Sequence, residues 1–134
     1  MAANRSLQKL MEQFINEKFE LRQIGTSQLA RLHLSLVGYP RFLDAPGFIV
    51  FLKRLGISRP SVSDLNSSQI GAFWEYLARY HGLLTAAQAM RSLRAFWRWM
   101  ESNRLVLPDS MPADLKASDL KKLYKVDSRI TKLE

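Results

Sequence analysis

The chain has no cysteine, which excludes disulfides, thiolate nucleophiles and zinc-finger sites and suits a reducing compartment. It has only two histidines, His33 and His81, too few for a histidine-based metal cluster. The six glycines are scattered, so no phosphate-cradling glycine loop is present. No segment approaches the roughly 18 apolar residues of a membrane span, and the opening Met-Ala-Ala-Asn-Arg-Ser lacks a signal-like apolar region. Secretion and membrane insertion are disfavoured, and a cytoplasmic location is the expectation. No alternating polar–apolar pattern, internal repeat or low-complexity run occurs either. Acids are the scarce charge: 12 Asp and Glu against 20 Lys and Arg give a net charge of +8.

That excess is not confined to a tail. Residues 1–67 carry nine basic and five acidic side chains, and residues 68–134 carry eleven and seven, so each half is +4. Charge spread this way predicts a folded basic surface, the footprint of a nucleic-acid binder. At 134 residues with 47% hydrophobic side chains, one domain can remove roughly two-thirds of the unfolded chain's surface from water.

The apolar residues recur at helical spacing. Ser6 predicts a cap for a helix running to about Glu20, with Leu7, Leu10, Met11, Phe14 and Ile15 inward. Thr26 or Ser27 predicts the start of a second, carrying Leu29, Leu32 and Leu36 and broken near Gly38-Tyr39-Pro40. From Asp44-Ala-Pro-Gly another segment buries Phe48, Phe51, Leu52 and Leu55 and stops at Gly56. Residues 57–65 read as a connecting loop. Asn66 with Gln69 opens a helix placing Ile70, Phe73, Trp74 and Leu77 inside, closed by Gly82. Thr85 with Gln88 repeats the start signal for a helix through residue 100. After an extended stretch at Leu107-Pro108 and Met111-Pro112, a short basic helix from about Ala113 to Tyr124 is expected. The fold class is all-α: an orthogonal bundle of four principal helices plus a short C-terminal one. The division is a helical domain over 1–112 and a basic helix or linker over 113–134.

The most telling helix is the one spanning 85–100. At about 100° per residue, Ala86, Met90, Leu93, Trp97 and Met100 share one stripe. Arg91, Arg94 and Arg98 share another, with Glu101 the nearest acid. Such a helix can pack on a bundle and present guanidinium groups to phosphate or base edges. Trp74 and Trp97 fall on core stripes. Trp99, about 80° round from the arginine face, is the one tryptophan expected to be exposed.

The succession Phe51-Leu-x-x-x-Gly56, Val62-x-Asp64-Leu65, Ile70-x-x-Phe73-x-x-Tyr76-Leu77, Gly82-x-x-Thr85, Leu93-Arg94-x-Phe96-x-x-Trp99-Met100 and Leu105-x-x-Pro108 resembles the N-terminal core-binding domain of tyrosine recombinases, the phage-integrase family. The resemblance covers about Leu7 to Leu115. It implies a SAM-like helical bundle that clamps one face of double-stranded DNA, beside other recombinase protomers on the site and in a nucleoid-associated location. It also implies that the start of the second helix and the first half of the fourth meet the major groove. Those places hold Gln28 and Arg31, then Thr85, Gln88 and Arg91, and Arg98 extends the face by two turns. The family often has arginine at the place of Arg94, where it either touches DNA or buttresses the bundle. Gly38, Pro40, Pro46 and Gly47 interrupt what is usually one continuous second helix. This predicts a kink or split that governs where Lys53 and Arg54, further candidate DNA contacts, come to lie.

Strand cleavage in that family uses a tyrosine nucleophile, arginines and a His-x-x-Arg pair. Here Leu36 stands three residues after His33, and Leu84 three after His81. The tyrosines Tyr39, Tyr76, Tyr80 and Tyr124 lie within the binding bundle, where core or rim roles are expected, and His81 before Gly82 suits a helix C-terminus. The expectation is a DNA-binding module without catalysis, cofactor or metal, either part of a longer integrase or a lone domain, with Lys132-Leu133-Glu134 native or a vector remnant. A second class is a helical adaptor whose basic surface meets acidic protein partners. An enzyme is the weakest of the three, for want of an acid–base or nucleophile constellation.

Overall fold

The computed structural model describes residues 5–38 and 47–115, the Asp114 side chain excepted. The chain is all-α. Its helices are α1 (Leu7–Glu20), α2 (Thr26–Leu36), α3 (Phe48–Arg54), α4 (Ser67–Tyr80) and α5 (Leu83–Ser102), with 3-10 turns at Val62–Asp64 and Ala113–Leu115. Among the described residues no strand forms; an isolated antiparallel bridge joins Ser6 to Ser61.

Helix α1 starts where a hydroxyl can satisfy an orphan amide: Ser6 Oγ accepts from Lys9 N at 3.4 Å. Its expected inner residues Leu7, Leu10, Met11, Phe14 and Ile15 are all buried. Helix α2 is capped differently from expectation. Gly25, not Thr26 or Ser27, is the N-cap, and its amide donates to Gln28 Oε1 at 3.1 Å. That is half of a capping box; the reciprocal half needs a cap side chain that glycine lacks.

The interruption after α2 is a complete split. Gly38 has φ +82°, and a Cβ there would lie 2.9 Å from the Gly47 Cα, while one on Gly47 would run into the Gly38 backbone. Two glycine backbones touch, and Val50 N donates to Val37 O at 3.2 Å beside them. The expected start of the next helix at Asp44 lies outside the described residues. Within α3, Phe48, Phe51 and Leu52 are buried. Leu55, expected inside, is 53% exposed. It is the C-cap residue, beyond the last turn that faces the core, and Ile57 packs against the core in its stead.

The expected loop over 57–65 contributes to the core, through buried Val62 and Leu65. It is tied to the start of α1 by Leu7 N to Pro60 O (3.0 Å) and Val62 N to Arg5 O (3.2 Å). Asn66 Oδ1 then caps α4 by accepting from Gln69 N at 3.0 Å, as expected, and Ile70, Phe73 and Leu77 are wholly buried. Trp74 is half-buried against them.

At the α4–α5 junction Gly82 has φ +99°, a conformation other residues rarely adopt, and it is the N-cap of α5. The helix therefore begins two residues before the expected Thr85 start, and Ala86 N donates to Gly82 O at 3.1 Å. The stripe of Ala86, Met90, Leu93, Trp97 and Met100 is buried as expected, joined by Ala87, Ala89 and Phe96. Trp99 overturns its expectation. Its ring lies 5.7 Å from Phe14 and 6.0 Å from Phe96, stacked on the latter, because α1 covers the flank that an isolated helix would leave open.

Helix α5 is the centre of the bundle, packed on by α1, α2 and α4. Leu115, in the last 3-10 turn, is wholly buried with them. Beyond it, the expected basic helix to Tyr124 lies outside the described residues. No helix among the described residues is long and apolar enough to cross a membrane.

Candidate nucleic-acid interface

Three helices and one turn make an open groove. The end of α1, the α1–α2 turn, the outer side of α2 and the middle of α5 enclose about 440 Å³ lined by Phe14, Lys18, Gln23, Ile24, Gln28, Arg31, Leu32, Ser35, Gln88, Arg91, Ser92 and Ala95. On α5 the lining positions recur at i, i+3, i+4 and i+7, one helix face. On α2 the same spacing brings Gln28, Arg31, Leu32 and Ser35 opposite. The floor is apolar and the rim carries three cations, Lys18, Arg31 and Arg91. Among the described residues no carboxylate lines the groove. Its charge is therefore of one sign, which suits an anionic ligand.

Four of the nine expected site residues meet in this groove: Gln28, Arg31, Gln88 and Arg91. They come from helices separated by 46 residues of sequence, united by the packing of α2 on α5. Gln28 arrives with a prior engagement. Its Oε1 holds the α2 cap, so the paired oxygen and nitrogen contact that glutamine makes with adenine is open to Gln88 alone while that cap stands.

The remaining five lie elsewhere. Thr85 sits one turn before Gln88 and is half-buried outside the lining. Arg94 is half-buried on the flank between the groove and the core, a place suited to bracing the bundle. Arg98 is exposed and lines a separate depression with Glu101, Ser102, Arg104 and Pro108. The three arginines thus span an arc of about 60° on the helix, of which only Arg91 reaches the groove. Lys53 extends from α3 to donate to Gln8 Oε1 at 3.3 Å. Arg54, next to it, donates through Nη1 to the Tyr76 hydroxyl at 3.1 Å.

Sequence reading missed Lys18 and Gln23 on the rim and Ile24 in the floor. Lys18, in the last turn of α1, gives a basic helix end as its only signal. Nothing in the sequence says that α2 turns back to face it. Among the described residues no group of three or more His, Asp or Glu side chains could hold a metal ion. Compared with family models, curated proteins and solved structures, the chain matches none.

Proposed function

We propose that this chain is a SAM-like, DNA-binding module of a site-specific recombinase, which clamps duplex DNA through the α1–α2–α5 groove and has no strand-cleavage activity of its own. The observation that carries this reading is the convergence of Arg31 and Arg91 with Gln28 and Gln88 in one acid-free groove. Arginine supplies charge-assisted contacts to phosphate or the paired acceptors of guanine, and Gln88 supplies a pairing group for adenine. The basic charge of both halves of the chain adds attraction that is independent of sequence.

Affinity for a duplex of about 25–30 base pairs, measured from about 50 to 200 mM salt, tests it. Neutralising about five phosphates gives a log–log salt slope near −4 to −5. Arg31→Gln combined with Arg91→Gln weakens binding by roughly 1–3 kcal/mol with an unchanged melting curve. Absent binding at low salt, or a flat salt response, refutes the reading.

The apolar floor of Phe14, Ile24, Leu32 and Ala95 favours one second reading, an adaptor that receives an apolar side chain flanked by acids from a protein partner. An acidic amphipathic peptide that binds the groove when duplex DNA does not selects it.

A further inference from the structure

Helices α3 and α4 bring a second cluster to the surface, clear of the groove. Arg54, Tyr76, Tyr80 and His81 line an open pocket of about 580 Å³, within the roughly 300–1,000 Å³ of small-molecule sites. Tyr76 is its pivot. Its ring lies 5.4 Å from Phe51, 5.4 Å from Tyr80 and 5.5 Å from His81. Phe51 is a core residue, so Tyr76 is anchored from beneath while its hydroxyl accepts from Arg54 Nη1.

The donor inventory is one-sided. Arg54 commits one guanidinium N–H to Tyr76 and retains four others; Tyr76 accepts that bond and still has its own O–H to give; His81 adds a ring N–H. Among the described residues no carboxylate lines the pocket. Tyr80, 67% exposed, leaves ring surface to solvent, and the Arg79 guanidinium lies 6.0 Å from its centroid. Holding an exposed arginine across two helices for one solvent-exposed hydrogen bond to an uncharged hydroxyl brings little stability. What the pocket offers is a fork of N–H and O–H donors beside an open aromatic face.

We propose that this pocket binds a phosphate group carried next to a planar ring, as in a nucleotide. The phosphate sits on Arg54, Tyr76 and His81, and the base stacks on Tyr80. The proposal is independent of the duplex-binding groove, since it shares no residue with that lining.

The full chain is titrated with thymidine 5′-monophosphate, with thymidine and with inorganic phosphate, following the ring NMR signals of Tyr80 and His81. The nucleotide shifts both signals saturably and more tightly than either fragment. Arg54→Gln weakens it about tenfold or more, equivalent to losing about 1.4 kcal/mol of charge-assisted bonding. Tyr80→Ala weakens the nucleotide to a similar degree and leaves inorganic phosphate unchanged. A hexathymidylate that binds at least tenfold tighter than the mononucleotide identifies a nucleic-acid strand as the source of the phosphate, and equal affinity identifies a free nucleotide. The Arg31→Gln, Arg91→Gln double variant retains the Tyr80 and His81 shifts even where duplex binding is lost. Unsaturable shifts with both nucleotide and hexamer, an Arg54→Gln variant that binds like the parent, or loss of the shifts in the groove variant overturns the proposal. Melting curves of each variant separate loss of the site from loss of the fold.

Discussion

Trp74, Trp97 and Trp99 each bury an indole N–H that has no acceptor among the described residues. A donor without a partner costs roughly 1–3 kcal/mol relative to one left in water, so these side chains are retained for the volume of their rings. The consequence is a paired outcome at Trp97. Trp97→Ala empties a core site and costs about 3–5 kcal/mol. Trp97→Phe keeps most of the ring and removes the unsatisfied donor, and costs under about 1.5 kcal/mol. Denaturant melts of the two variants check this, and equal losses refute it. Residue by residue, helical spacing made most of the core legible, from Leu7 to Met100. It failed at Leu55 and Trp99 because periodicity tells which residues share a face, not which neighbour covers it. Trp99 is packed by Phe14, more than eighty residues earlier. Arg54 was legible as a cation but not as the partner of Tyr76, whose hydroxyl arrives from another helix.

The helices differ in how firmly they are held. Helix α5 has eight buried residues over 20, whereas α2, at 11 residues, has only Leu36 buried. Isolated helices shorter than about 12–15 residues are marginal in water, so α2 depends on the partial burial of Leu29 and Leu32. Local opening free energies track such burial. Native-state hydrogen exchange is therefore expected to open α2 at least about 2 kcal/mol below α5, with duplex DNA slowing the α2 amides selectively if the groove is its site. Equal protection of α2 and α5 counts against this. The ends of the elements show where sequence stops informing. Ser6 and Asn66 cap through their own side chains and were readable; Gly25 and Gly82 are N-caps with no side chain to offer. Thr26, Ser27 and Thr85 carried stronger cap signatures, and backbone geometry overrode them.

Across the whole molecule, the all-α class and the order of helices were legible because composition and spacing agree along the chain. The grouping of surface residues was not. Nine candidates proposed together divide among the groove, the Arg98 depression, the α3 surface and two half-buried positions on α5. A shared helix face is local information, whereas a groove is made by the angle at which two helices meet. The charge itself, +8 over the chain, was plain from the outset.

The glycine contact at Gly38 and Gly47 bears on how much length this chain can accept. The backbones of Gly38 and Gly47 are in contact, so the eight residues between them in sequence begin and end at nearly the same point. Loop entropy grows slowly, about 0.6 kcal/mol for each doubling of length. An insertion of ten Gly and Ser residues after Asp44 is therefore expected to lower stability by about 1 kcal/mol or less. Gly47→Ala adds a single methyl yet drives two backbones apart, at a cost of about 2–4 kcal/mol. Thermal melts comparing the two decide it, and an insertion that unfolds the chain more readily than the methyl refutes this expectation. The chain would then be free in length between these two positions and strict in the size of the two residues that close the span.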